Sequence, residues 1–367
     1  MRVLYVYWSE FREDQAHANQ IVHTCNALND RGHGVTVIAA GDIKSYAEIH
    51  DLPLRFKHYR VPQLQVAGKT GRAFYYLVNL LSAQLFDVIF TRDISFLRVI
   101  RAFPFPLSTP VVYEAHKVYS YIDQVSEGDE LSRCQVADKI VTISQGIADD
   151  LSELGVEVAG IVPDAADVSQ LPTASETEIR TSLGIPSDEK LVVYTGSLST
   201  WKNDLGLTID AFASVVAERP EVRLSIVGGG SELEELRKRA RETAPSEAIK
   251  FPGHVSQSTV FDYLAVADVG VVPLRPVDRI ATRYTSPLKL YEYLVSDINV
   301  VAAEVPSITS ATADIDGVFT YEPGNLNEFV RALQRALDAP RPKRSPDDFS
   351  YARRAKQLES IFSTALS

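Results

Sequence analysis

Short apolar runs rich in β-branched residues alternate along this chain with longer amphipathic stretches, and the series occurs twice. In the first half the runs lie at residues 3–7, 35–39, 87–90, 111–113 and 139–143. In the second half they lie at residues 191–194, 223–227, 249–251, 269–272 and 299–302. Apolar strands separated by helical periodicity are typical of a parallel sheet covered by helices on both faces. The sequence therefore predicts an α/β protein of two tandem, doubly wound domains.

The helical and strand periodicity stops between the two series, over residues 167–176, which we interpret as a linker. A first Rossmann-like domain would cover residues 1–168, and a second would cover residues 173–346. A last helix, at about 351–364, follows a proline-rich passage and should pack back on the first domain, which then includes residues 347–367. Ligands bind outside the carboxyl ends of such sheets, so two facing domains would form a cleft.

Composition excludes several classes of protein. The chain has 48 acidic and 37 basic residues, a balance that disfavours a dedicated nucleic-acid binder. Cys25 and Cys134 are two isolated thiols, which form neither a disulfide framework nor a metal site. The apolar start at residues 1–8 is too short for a signal peptide, and polar residues interrupt the longest apolar neighbourhood, 73–90. We therefore expect a cytoplasmic protein with at most peripheral membrane contact.

The densest chemical signal is the string Thr-Ser-Pro-Leu-Lys-Leu-Tyr-Glu-Tyr-Leu at residues 285–294. Pro287 suits the first turn of a helix, which Ser286 or the threonine before it can cap. The N–H groups of Leu288 and Lys289 would then face an anion, as helix N-termini do for phosphates. Glu292, about one turn further, could accept hydrogen bonds from a ribose diol. An ordinary capped amphipathic helix is the alternative.

Three more segments follow predicted strands of the second domain and supply further candidates. These candidates are Gly196, Ser197, Lys202, Gly228, His254 and Val255. A glycine directly after a strand permits close approach of the backbone to a ligand, and a lysine is a point charge for phosphate. A solvated loop or a structural turn is the alternative for each segment alone. No Gly-x-Gly-x-x-Gly follows the first strand of either domain, which disfavours a nicotinamide dehydrogenase.

Taken together, these segments resemble the retaining glycosyltransferases of the GT-B fold, specifically glycosyltransferase family 4. In the first domain the matching strings are Arg-Gly-His-Gly-Val-Thr-Val at 31–37, Thr-Arg-Asp at 91–93, Tyr-Glu-Ala-His at 113–116 and Ala-Asp-Lys-Ile-Val-Thr-Ile-Ser at 137–144. The resemblance implies a donor site of Gly196, Ser197, Lys202, Gly228, His254, Val255, Tyr284, Ser286, Pro287, Leu288, Lys289 and Glu292. It makes His116, Lys202 and Glu292 the catalytic candidates, with Lys202 on the diphosphate and His116 near the transferring sugar.

The chain departs from the family at two positions of this site. A glutamate often stands eight positions before the residue that matches Glu292, and here that position is Tyr284. An arginine often follows the strand glycine, and here that position is Ser197. One carboxylate and one cation are thus replaced, with Arg283 or Tyr284 as the expected substitute for the carboxylate.

The expected reaction is transfer of a sugar from a nucleotide diphosphate sugar to a carbohydrate or lipid-linked acceptor. The resemblance implies retention, and we expect neither a metal nor another cofactor because no Asp-x-Asp motif lies at a strand end. A nucleotide-sugar epimerase and an impaired nucleotide-sugar-binding protein remain as alternatives.

Lys69 and Arg72 precede an apolar helix at 73–81, which could meet a membrane or could pack in the core.

Overall fold

The computed structural model describes residues 1–8, 11, 16–61, 69–104, 107–199 and 201–367, with only the backbone for residues 16, 69 and 70. The chain divides into two compact units. Unit 1 comprises Met1–Asp164 and Tyr351–Ser367, and unit 2 comprises Ala165–Ser350. The loops at 9–10, 12–15 and 62–68 lie outside the described residues.

The sheet of unit 1 is parallel throughout. Its described strands are β1 (Arg2–Val6), β2 (Gly34–Ala39), β3 (Lys57–Arg60), β4 (Val88–Thr91), β5 (Val111–Ala115), β6 (Lys139–Thr142) and β7 (Gly160–Ile161). They lie in the order β3-β2-β1-β4-β5-β6-β7. The strand order reverses between β1 and β4, and such a switch point is where doubly wound sheets bind ligands.

Helices cover the sheet of unit 1. They are α1 (Ala16–Asp30), α2 (Ile43–Ile49), α3 (Lys69–Ser82), α4 (Ile94–Ala102), α5 (Glu127–Cys134) and α6 (Gln145–Glu153). Gly32 follows α1 with a φ of 87°, a conformation that glycine adopts at little cost. Asp93 caps α4 by accepting a hydrogen bond from the Ser95 N–H at 2.9 Å.

Unit 2 repeats the architecture. Its described elements are α7 (Glu176–Leu183), β8 (Lys190–Thr195), α8 (Leu205–Glu218), β9 (Val222–Val227), α9 (Leu233–Thr243), β10 (Ile249–Gly253), α10 (Gln257–Val266), β11 (Val269–Val272), α11 (Leu288–Val295), β12 (Asn299–Ala303), α12 (Pro306–Thr312), β13 (Val318–Tyr321) and α13 (Leu326–Asp338). The strands are parallel in the order β10-β9-β8-β11-β12-β13, with the reversal between β8 and β11. β8, β11 and β12 are almost completely buried, and their apolar runs form the core.

The last helix, α14 (Tyr351–Ala365), returns to unit 1 and packs against α1 and β5. The sequence predicts this docking from an apolar stripe of Ala352, Ala355, Leu358 and Phe362. The last three are buried, whereas Ala352 is exposed. Two doubly wound sheets with a returning helix confirm the predicted fold class. Within the described residues, no helix combines the length and the apolarity that crossing a membrane requires.

Candidate active site

The carboxyl ends of β8, β9 and β10 meet at one edge of the unit 2 sheet. Gly196 follows β8, Gly228 follows β9 and His254 follows β10. The Gly196 N–H donates to the Val227 carbonyl at 3.0 Å, and the Gly228 N–H donates to the Gly253 carbonyl at 2.9 Å. The loops that leave these three strands are thus tied to their neighbours through the backbone.

Two glycines let these loops touch without intervening side chains. Gly228 has a φ of 145°, and a Cβ added there would lie 1.8 Å from the Gly196 carbonyl oxygen. A Cβ on Gly230 would lie 3.0 Å from the backbone of Leu198. At both contacts the backbone of the neighbouring loop occupies the place of a side chain, so these glycines hold the loops after β8 and β9 together.

Helix α11 begins one residue later than the sequence indicates. Pro287 has extended backbone, with φ −72° and ψ 120°, and Leu288 is the first helical residue. The predicted cap is wrong, since no side chain caps this helix and the Ser286 hydroxyl donates to the Tyr291 hydroxyl at 3.1 Å. The N–H groups of Leu288 and Lys289 therefore keep the character expected for an anion site, with no intrahelical acceptor.

Packing of Tyr293 holds α11 against the sheet. Its hydroxyl accepts a hydrogen bond from the Thr195 N–H at 2.9 Å, at the end of β8. Its ring lies so close to β11 that a Cβ on Gly270 would be 2.5 Å from it. These contacts bring the first turn of α11 beside Gly196.

The side chain of Lys289 also lies at this edge, although only its N–H was assigned from the sequence. Its Nζ is 4.0 Å from the centre of the Tyr194 ring and 3.4 Å from the Asn203 Oδ1. A Cβ on Gly196 would be 3.2 Å from this ammonium group. Burial and the charge of Lys202 lower the pKa of Lys289 to about 7. The two lysines are therefore near enough to interact, with Lys202 exposed on its loop.

Glu292 belongs to α11 and contacts the start of α10. Its Oε1 accepts a hydrogen bond from the Gln257 Nε2 at 2.8 Å, and its side chain is partly exposed. Burial raises the pKa of Glu292, although the Gln257 hydrogen bond and the Lys289 charge oppose the shift. Gln257 has no signal in the sequence, because only the packing of α10 on α11 brings it to the carboxylate.

The remaining candidates of unit 2 differ in exposure. Ser197 and His254 are exposed, and Val255 is partly exposed. Tyr284 ends a five-residue π-helix, Ile280–Tyr284, and only 1% of the residue is exposed. Tyr284 therefore packs in the interior. This burial argues against the expectation that its side chain replaces a carboxylate that binds sugar hydroxyls.

In unit 1, His116 follows β5 and contacts two charged residues. Its Nδ1 is 2.9 Å from Arg92 Nη2, and its Nε2 is 2.8 Å from Glu114 Oε2. A guanidinium can only donate, so Nδ1 accepts from Arg92, and the Nε2–H of His116 donates a hydrogen bond to the Glu114 carboxylate. The other oxygen of Glu114 accepts from Arg354 of α14. We call Arg92, His116, Glu114 and Arg354 the unit 1 network.

Burial and mutual charges set the protonation of this network. Burial opposes the charge of Glu114, but Arg354 and the His116 hydrogen bond lower its pKa to about 2. Burial and the Arg92 guanidinium lower the pKa of His116 to about 4, against the effect of Glu114. Burial raises the pKa of nearby Asp164 to about 6, against the effect of Arg354. At neutral pH, Glu114 is therefore ionised and His116 is uncharged.

Two family models match the chain. The model described as Glycosyltransferase Family 4 matches residues 17–170, and the model described as Glycosyl transferases group 1 matches residues 189–339. The first match lies in the part of the chain that contains His116. The second contains Gly196, Gly228 and α11.

Named relatives and a solved structure agree with these models. The alpha-monoglucosyldiacylglycerol synthase of Streptococcus pneumoniae is 24% identical over 225 residues, 57% of this chain and 49% of that protein. The D-inositol 3-phosphate glycosyltransferase of Corynebacterium aurimucosum is 26% identical over 290 residues, 70% of this chain and 67% of that protein. The chain spans about half the length of the first relative. Anabaena Alr3699/HepE, in complex with UDP and glucose, matches 99% of this chain and 100% of its own with a TM-score of 0.73 at 18% identity.

Proposed function

Since the chain belongs to glycosyltransferase family 4, we propose that it transfers a sugar from a nucleotide diphosphate sugar to an acceptor. The observation that carries the proposal is the position of Lys289 at the start of α11. Its ammonium group lies beside Gly196 and contacts Asn203, which directly follows Lys202. Two ammonium groups and a helix N-terminus fit the charge of a diphosphate. Gly196 is exposed and carries no side chain that would separate the diphosphate from the Lys289 ammonium group.

The same groups would act on the leaving diphosphate. As the bond to the sugar breaks, negative charge grows on the diphosphate, and preorganised donors stabilise it by roughly 3–4 kcal/mol each. Glu292 would accept hydrogen bonds from the ribose with the oxygen that Gln257 does not hold. The base would lie beside His254 and Val255, which the structure leaves accessible.

The finer features of the reaction are part of the same proposal. We assign UDP as the nucleotide, supported by the UDP held in the Anabaena complex. The acceptor is a carbohydrate or a lipid-linked molecule, supported by the diacylglycerol and inositol phosphate in the names of the relatives. Transfer proceeds with retention, and Lys202 and Lys289 meet the diphosphate charge in place of a metal. Unchanged turnover in a chelating buffer is the expected result for the last point.

Calorimetric titration of UDP and UDP-glucose tests the donor site. Lys202→Ala removes a charge-assisted contact worth about 1.5–3 kcal/mol, so affinity should fall roughly ten- to a hundredfold. Glu292→Gln should weaken UDP and UDP-glucose equally, because both carry the ribose. Lys238→Ala, which removes an exposed lysine of α9, is the matched control and should bind as wild type does.

Two results would contradict the assignment. Wild-type affinity in Lys202→Ala would make this residue an ordinary surface lysine. A lower melting temperature with unchanged UDP affinity in Glu292→Gln would make the carboxylate structural. Product analysis separates the alternatives, since an epimerase forms the isomeric nucleotide sugar without an acceptor. An impaired binding protein binds the donor but leaves it intact even when acceptors are supplied.

We further propose that α3 contacts a lipid surface. Phe74, Leu77 and Leu81 of this helix are 40%, 42% and 67% exposed, while Tyr75 and Leu80 are buried on its other face. A contiguous exposed apolar surface of this kind marks an interaction site. Leu77→Gln/Leu81→Gln should release the protein from sedimenting anionic vesicles, whereas Leu366→Gln, at another exposed leucine, should not. Equal sedimentation of both variants would refute this proposal.

A further inference from the structure

Arg92 lies at the switch point of the unit 1 sheet, directly after β4 and beside the ends of β1 and β5. Its Cζ is 5.1 Å from the centre of the Tyr7 ring, and its Nη1 donates to the Gln20 Oε1. Its Nη2 donates to the His116 Nδ1 at 2.9 Å. Arg92 is therefore held in a fixed orientation from three sides, although its side chain is only half-buried.

The direct partners of this guanidinium in the described chain are all uncharged. Gln20 and Tyr7 are neutral, and His116 accepts through an unprotonated nitrogen. By contrast, the buried arginines Arg133 and Arg180 each form an ion pair with a carboxylate. Among the described residues, Glu114 and Asp164 attract the charge of Arg92, but no carboxylate is hydrogen-bonded to its guanidinium. The site is therefore suited to an anion.

The carboxylates near Arg92 form ion pairs or hydrogen bonds with other groups. Glu114 pairs with Arg354 and accepts from His116. Asp164 accepts from Gln20 Nε2 at 2.6 Å, and Asp93 accepts from the Tyr76 hydroxyl at 2.5 Å. Arg92 uses two of its five N–H groups on Gln20 and His116, which leaves donors in a planar fork.

We propose that Arg92 binds an oxyanion of the acceptor, a phosphate or a carboxylate, and that the rest of the unit 1 network orients it. The inference rests on the proposed function in taking unit 1 as the acceptor side. His116 then acts as a positioning residue, because both of its ring nitrogens are engaged by Arg92 and Glu114. A guanidinium fork matches the geometry of carboxylate and phosphate oxygens.

The imidazole of His116 is a direct reporter of this site. In protein labelled with ¹⁵N-histidine, its signals can be assigned among those of seven histidines by substitution. We expect the Nε2–H tautomer, with Nδ1 unprotonated. With UDP saturating the donor site, inorganic phosphate should shift the His116 signals in a saturable manner. Acetate in a parallel titration distinguishes a carboxylate preference from a phosphate preference.

Three variants decide the proposal. Arg92→Gln should weaken phosphate binding roughly ten- to a hundredfold, and Arg92→Lys should recover part of it. Arg98→Gln, which removes an exposed cation of α4, should leave the titration unchanged. Unsaturable shifts in the wild type, or equal shifts in Arg92→Gln, would overturn the assignment. If UDP fails to bind, the donor proposal fails, and the phosphate titration without UDP still tests Arg92.

Discussion

The ion pair between Arg354 and Glu114 joins the last helix to the centre of the unit 1 sheet. Arg354 is 2% exposed and Glu114 is 1% exposed. Arg354 also donates to the carbonyl oxygens of Val162 and Pro163 at 2.5 and 2.6 Å. Arg354→Met would keep much of the side-chain volume while leaving a buried carboxylate and two carbonyl groups without their donor.

The structure gives the size of the loss in two ways. Breaking a buried pair by removing one partner costs about 3–5 kcal/mol. Against the effect of burial, Arg354, His116 and Arg92 together lower the pKa of Glu114 from 4.5 to about 2, a net contribution of roughly 3 kcal/mol of stability to which Arg354 is the largest favourable contributor. Because the lost donor bonds to Val162 and Pro163 add to this, we expect Arg354→Met to destabilise unit 1 by about 3–5 kcal/mol at pH 8.

The pH dependence follows from the signs of the shifts. The folded pKa of Glu114 is depressed, so its wild-type contribution is present above about pH 4.5 and is lost as the pH falls toward 2. Without Arg354, the pKa values of Glu114 and Asp164 both rise, and protonation removes the uncompensated charge. The difference between variant and wild type should therefore shrink from pH 8 to pH 5.

The two tryptophans allow the measurement. Trp8 lies in unit 1 and Trp201 in unit 2, so in a Trp201→Phe background the urea transition of Trp8 fluorescence reports unit 1 alone. Lys356→Met, at an exposed position of α14, is the control and should stay within about 0.5 kcal/mol of wild type. Glu114→Gln/Arg354→Met should be less destabilised than Arg354→Met. A loss under about 1 kcal/mol, or one that does not change with pH, would refute the reasoning.

Two further predictions concern unit 2. The pKa of Lys289 is lowered to about 7, and a diphosphate would raise it, so UDP binding at pH 7.5 should take up a fraction of a proton and weaken above that pH. Calorimetry in buffers of different ionisation enthalpy checks this, and equal heats, or an uptake that survives in Lys289→Met, would contradict it. Gly228→Ala puts a Cβ 1.8 Å from the Gly196 carbonyl oxygen at a φ of 145° and should cost about 3 kcal/mol or more. Gly206→Ala in α8 of the same unit, where the nearest atom to a Cβ is 3.6 Å away in the Arg239 side chain, is the control and should not lower the melting temperature.

The buried strands were predictable because their signal is local. β8, β11 and β12 are covered on both faces, so their apolar runs identify them without knowledge of their neighbours. β3 has no such signal, since Lys57–Arg60 is a largely exposed edge strand. Only its backbone pairing with β2 makes it a strand, and that pairing depends on the assembled sheet.

The residues of the candidate site also fall into two groups, those predictable from local sequence and those that depend on packing. Gly228 and the first turn of α11 could be identified from the chain, because a glycine after a strand and a helix start are local features. The positions of the Lys289 ammonium group and of Gln257 against Glu292 depend on how α10 and α11 pack. Glu114 and Arg354 are separated by 240 residues, and no local pattern relates them. Their ion pair exists because α14 packs against β5, a contact between distant segments that is set by the tertiary fold.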